Sequence, residues 1–268
     1  MTSISPATPP LPVLFVGHGA PTNALPDTQF ARDWAGQEAR WAKPKAILSI
    51  SAHWATRGLG VTAMARPRTI HDFRGFPPAL YEMQYPAPGD PALAARIAEL
   101  LRPLNVVQDQ GWGLDHGTWC PLAHIYPEAD IPVVQLSLDG ERSPAEHVDL
   151  ARRLAPLRDE GVLILGSGDF VHNLRTLQWR GEPAPYDWAV RFNDWVKAKI
   201  AAGDVKALVN YRAHPDAALA APDWDHFYPA LYTAALARPG EPVAFLTDYI
   251  LGGSASMTSV IIGDIAAA

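Results

Sequence analysis

Residues 11–22 read LPVLFVGHGAPT, an apolar run of Val13, Leu14, Phe15 and Val16 framed by Pro12 and Gly17 and followed at once by His18, Gly19 and Pro21. Such a run is too short and too β-branched for a core helix, so it reads as a buried strand. His18 then stands at the carboxyl end of that strand. In open α/β sheets this end faces the ligand crevice, and glycines on either side let backbone and ligand come close to the ring. The same event recurs further on: Ala46, Ile47, Leu48, Ser49 and Ile50 form a second strand-like run that ends in Ser51, Ala52, His53 and Trp54. Two strand-end histidines one strand–helix–strand unit apart can point into one pocket.

Working outward, residues 27–41 predict an amphipathic helix with Phe30, Trp34 and Trp41 near one face. Residues 58–89 are rich in proline, glycine and aromatics and predict a long ordered excursion, of the kind that is more often functional than idle. Asp90 and Pro91 open a helix as N-cap and first residue, with Leu93, Ile97, Leu100 and Leu101 as its buried stripe. Val106 and Val107 suggest a short strand, and 131–138 (IPVVQLSL) a further one. Ser143 and Glu146 form a capping box for a helix carrying Leu150, Leu154 and Leu157. A strand follows at 162–165, running into Gly166, Ser167, Gly168, Asp169, Phe170, Val171 and His172. A helix over 186–202 is expected to bury Trp188, Phe192 and Val196 and to stop at Gly203. A last helix is expected from about 223–226 through Leu231, with late strands at 243–246 and 259–262. Strands alternate with helices without a break in composition, which predicts an α/β fold. The expectation is a single domain over 1–268, with a mixed or largely parallel central sheet flanked by helices and an active site at the strand carboxyl ends.

Composition narrows the function classes. With 48% hydrophobic and 19% charged residues the chain is of ordinary globular type. A formal net charge of -6 gives no electrostatic footprint for nucleic acid and little attraction to an anionic membrane. The single cysteine, Cys120, excludes an internal disulfide framework, is expected to serve packing, and suits a reducing cytoplasm. The start of the chain lacks the basic and apolar segments of an export signal. The expected partners are small molecules, with the chain working as a monomer or a small homo-oligomer.

Four histidines, His18, His53, His116 and His172, lie at strand ends or in glycine-framed loops. Each alone reads first as a hydrogen-bonded structural residue. Several together point to a metal, because imidazole is the commonest nitrogen ligand for zinc or ferrous iron and a site built from separate strand ends needs no short motif. Competing chemistries find less in the sequence. Gly166, Ser167 and Gly168 lack the spacing of a nucleophile elbow, and the turn after Gly17 lacks the third glycine of a dinucleotide fingerprint.

The set of motifs resembles class III, or LigB-type, extradiol ring-cleavage dioxygenases, in the branch of DOPA 4,5-dioxygenases. The residues that carry the resemblance are Gly17-His18-Gly19-Ala20-Pro21, Ser51-Ala52-His53-Trp54, Thr69-Ile70-His71-Asp72-Phe73 and Tyr85-Pro86-Ala87-Pro88-Gly89. They continue in Gly113-Leu114-Asp115-His116-Gly117, Gln135-Leu136-Ser137-Leu138-Asp139 and Gly166-Ser167-Gly168 with Val171-His172-Asn173-Leu174. The family pattern also places a histidine before a late apolar helix, here Asp225-His226-Phe227. By this resemblance His18, His53 and His226 are ligands of one non-haem Fe(II), and Zn(II) is the expected substitute in isolated protein, since availability often decides occupancy. His172 is then the acid/base residue and a candidate fourth ligand, and His116 a proton donor or substrate contact. The implied reaction is the opening of a catechol such as L-DOPA with O2, giving a semialdehyde that can close to a betalamic-acid-type product. Asp169, Ala20 and Ala255 depart from the asparagine, serine and leucine expected there.

Other residues divide between roles. His71 either lines the pocket or holds the long loop. His124, His147 and His214 read as surface or structural, and the nine tryptophans as mostly core, with Trp54 and Trp119 placed beside proposed site residues where they could wall an aromatic substrate. Two other classes stay open on sequence grounds: a zinc-dependent hydrolase using the same histidines, and a non-catalytic relative acting by protein interaction.

Overall fold

The structure, a computed structural model, describes residues 10–181 and 183–265. The first nine residues, on which the expectation about export falls, lie outside the described residues. A six-stranded sheet forms the centre: β1 (Val13–Gly17), β2 (Ala46–Ser51), β3 (Val133–Gln135), β4 (Val162–Gly168), β5 (Val243–Leu246) and β6 (Ser259–Ile262). Its order is β3-β2-β4-β1-β6-β5. The first four strands run parallel, β6 lies antiparallel to β1, and β5 antiparallel to β6. The expected α/β fold with a largely parallel sheet is therefore present.

Parallel sheets are buried on both faces because their crossover helices cover them, and β1 shows this directly. Val13 and Phe15 join one apolar cluster, while Leu14 and Val16 join the other. The first cluster packs under the helices Pro91–Leu100, Pro144–Arg153, Asp187–Ala201 and Tyr228–Ala235; the second packs under Gln29–Trp34 and His116–Ile125. Register sets the functional edge. Gly17 pairs with Gly168 and Ser51 with Ser167, so β1, β2 and β4 end level with one another.

Several elements match their sequence signals. Asp90 accepts from the Leu93 amide as N-cap, Ser143 and Glu146 complete the capping box, and the helix ending at Ala201 is followed by Gly203 at φ 64°.

Others need correction. The segment 27–41 is not one helix: Thr28 caps Gln29–Trp34, Gly36 at φ 80° breaks it, and a 3-10 turn, Gln37–Arg40, follows. Residues 131–138 split as well, because Leu136 bridges to Val61 and Leu138 pairs with Ala55 in a separate two-stranded ladder. Val106–Asp109 is a strand, but it pairs with Leu59–Thr62 outside the central sheet. The long excursion accordingly contains a strand and a short helix, Pro78–Glu82. Trp188 is half-buried and stacks on Tyr186. The last helix starts at Tyr228, with Pro229 in its first turn, where a missing N–H costs nothing.

Candidate metal centre

His18 follows β1 directly, and His53 lies two residues beyond β2. His226 lies just before the helix Tyr228–Ala235, whose Pro229 packs over Gly168 at the end of β4. A side chain at Gly168 would place its Cβ 2.2 Å from the His226 carbonyl oxygen, so glycine is what lets this segment close on the sheet edge. Gly17 has a different neighbour from the one expected: the Met257 backbone, not a ligand, occupies the space beside it, 2.6 Å from where a Cβ would stand. The result is a cluster in which ring nitrogens of His18, His53 and His226 all lie within 4.8 Å of one another.

The hydrogen bonds fix how these rings are protonated. Ser167 Oγ donates its single proton to the Gly117 carbonyl at 2.5 Å, so it can meet His18 Nδ1, 3.0 Å away, only as an acceptor. His53 Nδ1 faces Asp72 Oδ2 at 3.4 Å, and His226 Nδ1 faces Asp225 Oδ1 at 3.1 Å. His18 and His226 therefore carry the proton on Nδ1 with the Nε2 lone pair free, and the Asp72 carboxylate 3.4 Å from His53 Nδ1 favours the same tautomer there.

His18 Nε2 and His53 Nε2 stand 2.9 Å apart. Two lone pairs at that separation repel unless a cation lies between them. Metal–nitrogen bonds of about 2.1 Å meeting at right angles put their nitrogens about 3.0 Å apart, so the spacing suits two ligands of one ion. An oxygen or nitrogen partner behind each ligating imidazole is also the usual arrangement at protein metal centres. The residues present fit a divalent metal of the borderline class.

Burial shapes the electrostatics. It pushes the His18 and His53 rings well below their ordinary pKa, and charge on the neighbouring histidines pushes further the same way, so both stay neutral and able to ligate. Burial alone would raise the Asp72 and Asp225 carboxyls, but the N–H groups of His116 and His226 hold them below their usual range. Burial also pushes Asp169 up to about 7; one of its oxygens accepts from the Gly19 amide at 3.3 Å and the other has no partner.

Two further histidines border the cluster. His116, the first residue of its helix, has its ring centroid 3.9 Å from that of His53 and 5.3 Å from that of His18. Its backbone N–H donates to Asp72 Oδ1 and its Nδ1 to Asp72 Oδ2, both at 2.9 Å. His172 lies on His226, with centroids 3.5 Å apart and planes 3° from parallel. Burial and the adjacent His226 hold its pKa far below the ordinary value.

The remaining sequence-singled residues fall outside the cluster. His71 holds the long loop through the Met83 carbonyl at 3.0 Å. His147 is wholly buried between Tyr232 Oη and the Asp139 carbonyl, so it is structural. His124 binds the Asn23 carbonyl, and His214 packs against Trp195. Trp54 stacks on Trp112, and Trp119 is fully buried with its indole N–H on the Ile70 carbonyl. The aromatic ring that borders the cluster is Phe73, edge-on to His116 at 5.7 Å. Asp72, Ser167 and Asp225 went unassigned in the sequence, although all three lie in motifs that drew notice there.

A set of three imidazoles converging at the carboxyl edge of a largely parallel sheet defines the class as a metal-dependent enzyme centre. Residues 9–249 match the family described as the catalytic LigB subunit of aromatic ring-opening dioxygenase, and the chain belongs to that family. It is 49% identical over 257 residues to the "4,5-DOPA dioxygenase extradiol" of Escherichia coli (strain K12), covering 94% of this chain and 95% of that protein. The protein of the same name from Beta vulgaris is 42% identical, with 80% of this chain and 82% of that one covered. The crystal structure of an uncharacterized protein from Escherichia coli K12 superposes with a TM-score of 0.83 at 44% identity, covering 94% of this chain and all of that one. Among the described residues no helix is long and apolar enough to cross a membrane.

Proposed function

We propose that this chain is a ferrous-iron extradiol dioxygenase that opens a catechol ring, with L-DOPA cleaved at the 4,5 bond to a seco-DOPA semialdehyde that cyclises to betalamic acid. The observation that carries the reading is the meeting of His18 Nε2 and His53 Nε2 at 2.9 Å, with an oxygen of Ser167 behind one ring and of Asp72 behind the other. The relatives named for 4,5-DOPA cleavage support the substrate.

His18, His53 and His226 would hold the iron. Three neutral imidazoles leave bound ferrous iron its full charge and open positions, so it supplies an electrostatic seat for a catecholate with room for dioxygen beside it. Zinc suits the same imidazoles but has no redox chemistry, so zinc-loaded protein is expected to be inactive.

The chain itself handles the protons. Burial keeps His172 neutral, and a catecholate arriving beside it raises its proton affinity, so a ring nitrogen of His172 takes the catechol proton and later returns it to the opening product. His116, with Nδ1 committed to Asp72, offers Nε2 to a substrate hydroxyl. Phe73 supplies an aromatic wall next to His116. We assign the whole chain to one catalytic unit, since β6, beyond the family match, pairs with β1. A reducing cytoplasm suits both ferrous iron and the single cysteine.

The test is anaerobic reconstitution with ferrous iron, then L-DOPA and air, following oxygen uptake and the visible spectrum. One dioxygen consumed per catechol with a yellow product, lost in His53→Ala, is the expected outcome. Iron binding without oxygen uptake on any of several catechols would sink the proposal.

A further inference from the structure

Ser167 and Asp225 each steady one ring of the cluster, whereas Asp72 serves two. Its Oδ2 lies 2.9 Å from His116 Nδ1 and 3.4 Å from His53 Nδ1, while its Oδ1 accepts from the His116 backbone N–H at 2.9 Å. Two N–H groups of His116 thus donate to this carboxylate, and His53 Nδ1 stands within ion-pair distance of it. We propose that Asp72 is a positioning residue that ties the cation seat to the proton site, holding His53 and His116 together with the proton on Nδ1 and both Nε2 lone pairs open. The inference rests on His53 being a metal ligand, as argued above.

The need for a carboxylate follows from counting donors and acceptors. A carboxylate is an acceptor at both oxygens, so it can take both N–H groups of His116 and still face His53 Nδ1. An asparagine offers one acceptor. With its oxygen on the His116 backbone, its NH2 would face the two rings, which could meet it only by moving their protons to Nε2. His53 would then have no lone pair for an ion. With the amide turned over, the NH2 would oppose the His116 backbone N–H, leaving a buried donor without a partner.

The backbone delivers Asp72 to this position and to no other. Ile70 N–H donates to the Leu114 carbonyl at 2.7 Å, Leu114 N–H to the Arg68 carbonyl at 2.8 Å, and the Trp119 indole to the Ile70 carbonyl at 2.9 Å. The long loop is thereby clamped to the segment that leads into His116. Loop and helix start are joined by these bonds, and the carboxylate reaches from them to His53 beyond the end of β2.

The experiment uses zinc-loaded protein labelled with 15N-histidine, with ring tautomers read from long-range 1H–15N spectra and zinc affinity from competition with a chelator. In the unaltered protein His53 and His116 are expected to carry their protons on Nδ1. Asp72→Asn should move the His116 proton to Nε2 and weaken zinc by about 10–100-fold, the usual range for loss of a partner behind a ligand. Asp225→Asn should weaken zinc while leaving His116 unchanged. Native tautomers and native zinc affinity in Asp72→Asn would overturn the proposal. So would a proton on His116 Nε2 in the unaltered protein, a result that does not depend on the variant folding. His53→Ala separates the two readings: if it binds zinc as tightly as the native chain, the ligand assignment fails first.

Discussion

The rings of His172 and His226 lie face to face, 3.5 Å apart and 3° from parallel. Ring nitrogens of both lie within 4.8 Å of each other, but parallel rings send their lone pairs along parallel lines, which suits separate roles better than a shared ion. On the proposed reading His172 transfers protons while His226 ligates. His172→Gln should therefore keep native metal content and lose about 10²–10⁴-fold in kcat, the range for removal of a general acid–base group. Metal analysis beside steady-state oxygen uptake checks this. Loss of metal together with activity would return His172 to the ligand set.

Ser167 acts on His18 from behind the ring. Ser167→Ala removes the acceptor for His18 Nδ1–H and the donor for the Gly117 carbonyl in a fully buried place. Each buried group left without a partner costs about 1–3 kcal/mol. The expected result is a lower unfolding midpoint and zinc affinity reduced by about 10–100-fold, as for other partners of ligating histidines. Urea unfolding and chelator competition measure the two effects separately.

Gly168→Ala tests the closure of the late segment on the sheet. A Cβ 2.2 Å from the His226 carbonyl oxygen forces backbone away from backbone, since no flexible side chain is there to yield. Overpacking of this kind costs about 1–3 kcal/mol. The displacement falls on a proposed ligand, so metal affinity should drop along with stability. A variant with native affinity would show that His226 does not depend on this contact.

Stability should fall as pH drops below the histidine range. His18, His53 and His172 are held well below 6.5 by burial, and His147 is pushed down to about 4 for the same reason. A depressed histidine pKa means that the unfolded chain binds protons that the folded chain refuses. The stabilisation is complete above about pH 6.5 and is lost as pH falls from there toward the folded values. The slope is about 1.4 kcal/mol per pH unit for each fully titrating histidine. For His147 it ends near pH 4. Urea unfolding of metal-free protein at pH 7.5 and pH 5 checks the sign, and equal stabilities would refute it.

The sequence showed the sheet and half of the centre for a physical reason. Apolar runs that stop at Gly17 and Ser51 mark strand ends without tertiary knowledge, so His18 and His53 could be placed on one edge. His226 sits in an irregular stretch before a helix, and no period points to it; the family resemblance alone singled it out. Asp72 lies in a loop whose position depends on hydrogen bonds to Leu114 and Trp119, contacts between distant parts of the chain that spacing cannot reveal. The misread helix at 27–41 has the same origin in reverse. Its apolar spacing was right for Phe30 and Trp34, which are buried, but Gly36 takes a left-handed turn after them. Likewise, Leu136 and Leu138 look like continuous strand until their partners in other segments are known.

The three proposed ligands come from the first strand, the second strand and a segment near the far end of the chain. With one cysteine, the chain has no internal disulfide, and an ion shared by His18 and His226 would close a loop of 226 − 18 = 208 residues. By the chain-entropy argument used for disulfides, a closure that long is worth on the order of 5 kcal/mol. The ion would then be a clasp as well as a reagent: removing it would silence the chemistry and leave the pairing of β1 with β6 to hold the two ends of the polypeptide together.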